Sequence, residues 1–324
     1  MKLQDLHFFY YYSHGKLLLT GEYLILHGAF GLALPTIKGQ SFTIFYYKNK
    51  PTYLCFSTSS SKFLHWKSFD EKDQLWFEGI FQLPSLDICY ETEKKTAFRL
   101  RNLLLKSREI QKNFLSNTFG IYVKTKLEFP RNWGLGSSST LISNIAKWSR
   151  VKPHLLLEKN FPGSGYDIAC GYYSKPIIFR RLKNEGPHII PIDFNPPFKE
   201  KLFFLYLNKK QNTCESIRFF LKKKKDLKIF SRSMDFISSI TQKIPFCKTL
   251  KEFEELLFKH EKIISEILDI PTIKETYFPD YLGLVKSLGA WGGDFVLISY
   301  RDGMRKYFSK KGFYTLISFD EMIV

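Results

Sequence analysis

The stretch that decides the fold is WGLGSSSTL, Trp133 to Leu141, near the middle of the 324-residue chain. Two glycines flank a leucine, and four hydroxyl residues follow, directly before a run that extends to Arg150. Apolar residues recur in this run every three or four positions, which predicts a helix. Residues 117–129 alternate between apolar and polar side chains and end at Pro130, which predicts a strand. The sequence therefore predicts a strand, a glycine-rich turn and a helix.

Similar spacing of apolar residues predicts further helices over residues 96–112, 248–268 and 282–288. Residues 176–206 are predicted to form strands that the segments PHIIP and NPP interrupt.

A glycine-rich turn that leads into a helix is suited to binding an anion. The first N–H groups of a helix have no partner within the helix, and the helix dipole favours negative charge there. Gly134 and Gly136 let the backbone approach a phosphate, and the hydroxyls of Ser137, Ser138 and Ser139 can donate hydrogen bonds or bind Mg²⁺. No lysine follows the glycines, so this is not the G-x-x-x-x-G-K-[ST] loop. Taken alone, the stretch fits a triphosphate site or a simple turn with a serine cap.

Composition indicates an ordinary globular protein. Hydrophobic residues make up 44% and charged residues 25% of the chain. No apolar stretch reaches the roughly 20 residues needed to span a bilayer. Residues 1–23 contain neither an uninterrupted apolar segment nor a small-residue cleavage site. We therefore expect a cytoplasmic protein without a membrane partner.

Cysteine spacing and charge argue against two further classes of site. The cysteines are widely scattered and contain no Cys-x-x-Cys pair, so neither a zinc site nor a disulfide framework is expected. The net charge is +18, but apart from Lys222 to Lys225 the basic residues are spread along the whole chain without a nucleic-acid motif. We expect no nucleic-acid partner, although the positive field would help attract an anionic substrate. The cysteines are Cys55, Cys89, Cys170, Cys214 and Cys247.

Four motifs in order resemble those of one enzyme family. They are HGKLLLTGEYLILHG (His14 to Gly28), PRNWGLGSSST (Pro130 to Thr140), PGSGYDIACG (Pro162 to Gly171) and SLGAWGGDFVLIS (Ser287 to Ser299). Together they resemble the motifs of the GHMP kinases, and they span nearly the whole chain. Within the family they are more similar to phosphomevalonate kinases than to galactokinases or homoserine kinases. They are also similar to a bacterial group marked by a Gly-Tyr-Asp-Ile-Ala signature, found here at Gly165 to Ala169.

The resemblance implies a fold and an activity. The fold is α/β (α+β), with a ribosomal S5 domain 2-like ATP-binding domain over residues 1–175 and a ferredoxin-like domain over residues 176–324. The active site would lie in the cleft between these domains. The activity is Mg²⁺-dependent transfer of the ATP γ-phosphate to a small acceptor, with mevalonate or phosphomevalonate of isoprenoid precursor synthesis as the first expectation. The oligomeric state is open, and a homodimer is compatible with the sequence.

Two residues carry the catalytic roles that the resemblance implies. Asp167 matches the carboxylate that accepts or orients the acceptor proton during phosphoryl transfer. Lys16 matches a lysine near that carboxylate, where a cation would favour the ionised forms of both the aspartate and the acceptor oxygen. Without the other motifs, Asp167 would be interpreted as a turn residue and Lys16 as a solvated lysine at a strand edge.

The same resemblance assigns the binding residues. The hydroxyl of Ser138 is the expected Mg²⁺ ligand. The phosphate-binding residues would be Gly134, Leu135, Gly136, Ser137, Ser138 and Ser139. The acceptor-binding residues would be Glu22, Tyr23, Gly165, Gly289, Gly292 and Gly293.

The sequence departs from the family pattern at two places. The nearest candidate for a second metal ligand is Glu158, whereas an ungapped comparison places Leu156 at the usual position of the glutamate. Trp291 stands where family members have a glycine, in the segment GAWGG of the last motif, residues 289–293, which we call the third glycine loop. This loop would be stiffer than in the family or would cap the pocket. Asp294, which follows it, fits a cap or turn residue better than a catalytic one.

Several alternative functions stay open from the sequence. The acceptor could be a sugar or homoserine, and diphosphomevalonate decarboxylases share the fold, although PGSGYD and GAWGGD fit them less well. Trp291 and the missing glutamate favour a protein that binds nucleotide without catalysis, whereas retention of Lys16, Ser138 and Asp167 together argues against one. Nucleic-acid binding has only the charge in its favour.

Overall fold

The computed structural model divides into two compact units built from alternating segments of the chain. It describes residues 7–47, 62–116, 120–157, 163–182, 185–209, 211, 213–222 and 227–324. The first unit comprises Met1–His14, Lys38–Arg131 and Ser137–Glu158, and the second comprises Gly15–Ile37, Asn132–Gly136 and Lys159–Val324. Each unit thus contains three separate segments, and the single boundary after residue 175 stays a prediction.

The first unit contains a sheet with two helices. Strands β3 and β6 are parallel, and the other pairs in the order β5-β4-β3-β6-β2 are antiparallel. Strands β1 and β2 pair with each other, and both begin in one unit and end in the other. The elements are β1 (His7–Thr20), β2 (Gly31–Tyr47), β3 (Lys62–Phe69), β4 (Leu75–Leu83), β5 (Ile88–Glu91), α1 (Lys94–Ile110), β6 (Gly120–Leu127) and α2 (Ser137–Ser149).

Aromatic side chains and a polar helix face stabilise this unit. The buried Phe42 ring lies 5.4 Å from the Trp66 ring and 5.7 Å from the Trp148 ring, measured between centroids. On α2, Asn144 donates to the Gln40 carbonyl over 3.0 Å. The Thr140 hydroxyl donates to Gln40 Oε1 over 2.9 Å. These buried hydrogen bonds fix the helix that follows the glycine-rich turn, because unpaired polar groups would be costly there.

The second unit contains a four-stranded antiparallel sheet, a short strand group and most of the helices. The sheet has the order β10-β11-β9-β12, and the first residues of β2, Gly31 to Ala33, pair with β7, which pairs with β8. The strands are β7 (Ile177–Arg181), β8 (Pro187–Pro191), β9 (Leu202–Tyr206), β10 (Val285–Ser287), β11 (Phe295–Ser299) and β12 (Leu316–Ser318). The helices are α3 (Tyr166–Tyr173), α4 (Thr213–Lys222), α5 (Leu227–Lys243), α6 (Leu250–Leu268), α7 (Ile273–Tyr277), α8 (Met304–Lys310) and α9 (Phe319–Met322).

The local patterns predicted some elements correctly and others wrongly. Helices expected over residues 96–112, 140–150 and 248–268 are confirmed as α1, α2 and α6. The short helix expected over residues 282–288 is wrong, because Val285 to Ser287 form β10 and pair with β11. Residues 187–191, PHIIP, were expected to break the strands but form β8 themselves. Its two prolines lie at the ends of a strand paired on one side, where their missing donors cost little.

Two sequence expectations concern membranes and thiols. Within the described residues, no helix combines the length and apolar character needed to cross a bilayer. Cys170 and Cys247 are buried free thiols, and Cys89 is an exposed one. Cys55 lies outside the described residues, and the side chain of Cys214 is also not described.

Candidate active site

The glycine-rich turn has a conformation that requires glycine. Gly134 has φ +70° and Gly136 has φ +88°, the left-handed region that side chains disfavour. A Cβ atom at Gly134 would also lie 2.3 Å from the carboxyl carbon of Asp294. Leu135, between the glycines, is buried and anchors the turn. Gly134 therefore meets two constraints at once, one of conformation and one of space.

Helix α2 begins at Ser137, directly after the turn. Ser137 is half-buried, Ser138 is exposed, and Ser139 is buried at 5% exposure. The first N–H groups of a 13-residue helix thus follow the two glycines, next to the accessible hydroxyl of Ser138. This donor set fits a polyphosphate.

Lys16 connects the turn to the helix that carries Asp167. Its ammonium group donates to the Gly134 carbonyl over 3.0 Å, and its backbone N–H donates to the Leu135 carbonyl over 3.0 Å. The ammonium also lies 5.8 Å from the centre of the Tyr166 ring. Because Tyr166 is the first residue of α3, Lys16 lies between the glycine-rich turn and the start of that helix.

Asp167 is in the first turn of α3, where a carboxylate is favoured by the helix dipole. Gly165, with φ +89°, precedes the helix, and the Arg181 guanidinium donates to the neighbouring Ser164 carbonyl over 3.3 Å. The charges of Lys16 and Asp167 both affect the pKa of the buried Cys170 thiol. Burial is the main cause of its raised pKa, Lys16 opposes that rise, and Asp167 adds to it. Lys16 and Asp167 therefore act on one small region of the second unit.

Glu22 and Tyr23 lie in the interior. Glu22 is 1% exposed and is paired with Lys286, and burial raises the pKa of its carboxyl group to about 7. Tyr23 is also buried, with φ +59°, and its hydroxyl accepts a hydrogen bond from the backbone N–H of Trp291 over 3.1 Å. The structure thus attaches both residues to β10 and the loop that follows it.

The third glycine loop is held from its far end by Asp294. Gly289 and Gly292 have φ values of +71° and +98°. A Cβ atom on Gly293 would lie 2.8 Å from the Lys209 carbonyl oxygen. The Asp294 N–H donates to that same oxygen over 2.6 Å, and its carboxylate accepts from the backbone N–H of residue 211 over 3.1 Å. Asp294 is therefore a turn residue whose carboxylate also lies against Gly134.

Trp291 is buried among apolar side chains. It is 5% exposed and packs in a cluster with Tyr23, Phe220, Ile264 and Leu268. Its indole N–H is a buried donor without a hydrogen-bond partner among the described residues. The side chain at this unusual position therefore fills the interior of the second unit.

The expected metal ligands are only partly described. Glu158 lies outside the described residues. Within the described residues, no group of three or more His, Cys, Asp or Glu side chains could hold a metal ion. The exposed Ser138 hydroxyl beside a glycine cradle fits Mg²⁺ held mainly by nucleotide phosphates, because Mg²⁺ commonly keeps few protein ligands.

Sequence reasoning missed three buried titratable residues near Glu22. Lys286 is fully buried in β10, and His260 and Glu261 are buried on α6. A signal was present: on α6, these two polar residues lie between the buried Leu257 and Ile264 at helical spacing. A carboxylate on an apolar helix stripe predicts a buried cation as its partner, although it does not identify Lys286.

Comparisons with known proteins give matches at the level of structure. No protein-family model matches the chain. No curated protein matches it by sequence. A Streptococcus pneumoniae phosphomevalonate kinase in complex with phosphomevalonate and AMPPNP has a TM-score of 0.66 at 15% identity, covering 94% of this chain and 95% of that one. The L. major mevalonate kinase in complex with R-mevalonate has a TM-score of 0.61 at 15% identity, covering 95% and 92%.

A galactokinase is similar over the same length. The Lactococcus lactis enzyme in complex with galactose has a TM-score of 0.62 at 14% identity, covering 98% of this chain and 94% of that one. This chain has the GHMP kinase fold. The expected α/β architecture is thereby confirmed, and the similarity extends over nearly the full length of each of these kinases.

Proposed function

We propose that this GHMP-fold chain is an ATP-dependent small-molecule kinase. The observation that carries the proposal is the position of Lys16, which donates to the glycine-rich turn and contacts the first residue of the Asp167 helix. A phosphate cradle, a cation and a carboxylate are the groups that phosphoryl transfer requires. Here Lys16, the cation, contacts both the glycine-rich turn and the helix that carries Asp167.

The proposed mechanism gives each group one role. The backbone of Gly134 to Gly136 and the start of α2 would bind the ATP phosphates, and the exposed hydroxyl of Ser138 would be a ligand of Mg²⁺. The metal ion, when bound, neutralises charge on the phosphates. Asp167 orients the acceptor hydroxyl and takes its proton as the acceptor oxygen forms a bond to the γ-phosphorus and the bond to ADP breaks. Lys16 stabilises the negative charge that develops on the acceptor oxygen.

Mevalonate and phosphomevalonate are our leading acceptors. The kinases of similar structure include one bound to each of these compounds, and the net charge of +18 favours an anionic acceptor. For a phosphomevalonate acceptor, the group that attacks is a phosphate oxygen rather than a hydroxyl. Galactose and homoserine are the alternative acceptors. We place the protein in the cytoplasm, with ATP and the acceptor as its partners.

The test is coupled ADP release with Mg-ATP against mevalonate, phosphomevalonate, homoserine and galactose. The site variant is Asp167→Ala, and the matched control is Asp193→Ala, which removes an exposed carboxylate in the same unit. We expect turnover with one acceptor, lost in Asp167→Ala while ATP binding is retained, and unchanged in the control. Full activity in Asp167→Ala would disprove the role of the aspartate.

A non-catalytic nucleotide-binding protein is the second candidate. It is favoured by Trp291, which fills the second unit where family members have a glycine. Tight ATP binding without turnover on any acceptor, even in Trp291→Gly, would support this candidate over the kinase.

A further inference from the structure

Four titratable side chains form a buried cluster that the proposed mechanism does not use. They are Glu22 after β1, His260 and Glu261 on α6, and Lys286 on β10, and none is more than 3% exposed. The Lys286 ammonium is bonded to Glu22 Oε1 and lies 3.1 Å from Glu261 Oε1. Glu22 Oε2 lies 3.2 Å from His260 Nε2. We refer to these four side chains as the buried cluster.

The hydrogen bonds define the charges within the buried cluster. The Gly21 N–H donates to His260 Nε2 over 2.9 Å, so this nitrogen is an acceptor and the ring proton is on Nδ1. Burial, reinforced by Lys286, holds the pKa of His260 well below its usual range, so the ring is neutral. One cation therefore faces two carboxyl groups. A buried cation of this kind cannot lose its partners without leaving an uncompensated charge.

The buried cluster is continuous with two loops of the candidate site. On one side, Glu22 is followed by Tyr23, whose hydroxyl accepts from the backbone N–H of Trp291. On the other side, Lys286 is followed by Ser287, whose N–H and hydroxyl donate to Glu261 over 3.0 and 3.3 Å. Gly289 comes two residues later. The turn at Gly21 to Tyr23 and the third glycine loop are thus held by the same set of charges.

We propose that Lys286, balanced by Glu22 and Glu261, is a positioning residue that fixes the third glycine loop against the turn at Gly21 to Tyr23 and thereby sets the affinity for the acceptor. Lys286 is 0% exposed, so it acts through these two segments rather than by touching a substrate. ATP binding depends instead on the glycine-rich turn, which Lys16 holds from β1. The kinetic part of this inference rests on the proposed kinase function, and the structural part does not.

The structural test is hydrogen exchange measured by mass spectrometry on the full chain without ligand. Lys286→Met removes the charge, and Lys306→Met, on the exposed face of α8, is the matched control. We expect at least tenfold faster exchange in residues 20–25 and 287–293, where the backbone N–H groups of Trp291 and Ser287 lose their partners, and no change in the control. Glu261→Gln, which keeps the shape of the side chain, is measured in parallel. This variant still tests the proposal if Lys286→Met does not fold. Unchanged exchange in both segments in Glu261→Gln and in any folded Lys286→Met would overturn the proposal.

The kinetic test separates positioning from catalysis. We expect Glu261→Gln and Lys286→Met to raise the acceptor KM at least tenfold, with the KM for ATP changed less than twofold and kcat less affected than the acceptor KM. A fall in kcat at constant acceptor KM would overturn the positioning role. If no acceptor is turned over by the unmodified chain, the kinase proposal fails, whereas the exchange experiment still decides the positioning role.

Discussion

Replacement of Glu22 by glutamine should remove a pH dependence of stability. Burial raises the pKa of this carboxyl group from 4.5 to about 7 in the folded chain. The charged and titratable groups that face it are Lys286 on β10, His260 and Glu261 on α6, Tyr166 on α3 and Tyr23 in its own turn. Among them, Lys286 opposes the rise of the pKa, whereas the negative charge of Glu261 adds to it.

The sign follows from the direction of the shift. Between pH 4.5 and about 7, Glu22 holds a proton in the folded chain that it has lost in the unfolded chain. The raised pKa therefore contributes stability that is fully present below pH 4.5 and is lost as the pH rises through about 7. Between pH 5 and pH 8 the free energy of unfolding should therefore fall by about 2.5 kcal/mol from this group alone. Glutamine cannot titrate, so the Glu22→Gln variant lacks this contribution.

Urea unfolding of the two proteins at half-unit steps from pH 5 to pH 8 measures the effect. We expect the stability of Glu22→Gln, relative to the unmodified chain, to rise by about 2.5 kcal/mol from pH 5 to pH 8. Glu275→Gln is a suitable control, because this exposed carboxyl group caps α7 and its pKa is lowered by hydrogen bonds to Thr272. A stability difference that stays constant over the pH range would refute the inference that burial raises the pKa of Glu22 to about 7.

Three further substitutions test the candidate site. Gly134→Ala should weaken ATP binding more than tenfold in a nucleotide titration. The alanine would cost about 1–2 kcal/mol in the left-handed backbone conformation, and its Cβ atom would clash with Asp294. The control Gly186→Ala, with nothing within 4 Å of the added atom, should leave ATP binding unchanged. Equal affinities in the two variants would contradict the cradle. Lys16→Met should lower kcat by a factor of about 10²–10³, while the affinity for ATP stays within a few-fold of that of the unmodified chain. A large loss of ATP affinity at unchanged kcat would assign Lys16 to nucleotide binding instead. Trp291→Phe should cost less than about 1 kcal/mol in urea unfolding, since loss of a buried, unpartnered N–H offsets the smaller ring, and a cost above about 3 kcal/mol would show that the indole packing dominates.

The motifs predicted the parts of the site that are local in the chain. A strand, two glycines in the left-handed conformation and a helix follow one another between Gly120 and Ser149, so spacing alone indicates their arrangement. The resemblance to a kinase family then gave the fold, which the structural comparisons confirm. The proposed roles of Lys16 and Asp167 stay predictions, although the structure brings both charges to the start of α3.

The buried cluster was beyond the reach of the sequence for a physical reason. Glu22 and Lys286 are separated by 264 positions, and no local periodicity couples residues so far apart. The segment around Lys286 was assigned to a helix because a short apolar run does not distinguish a helix from a buried strand. Pairing with β11 decides that segment, and the partner strand lies in a tertiary contact that spacing does not encode.

The interleaving of the two units affects how the chain can fold during synthesis. Within the second unit, Thr36 on β2 forms a bridge to Ile323, and the Val324 N–H donates to the Pro35 carbonyl. Almost 290 further residues must therefore be synthesised before Thr36 can pair with Ile323. Closing so long a loop is entropically slow, and the early strand stays open to other partners while translation proceeds. The second unit can therefore close only after Ile323 has been synthesised, and until then the backbone groups around Thr36 are exposed to the wrong partners.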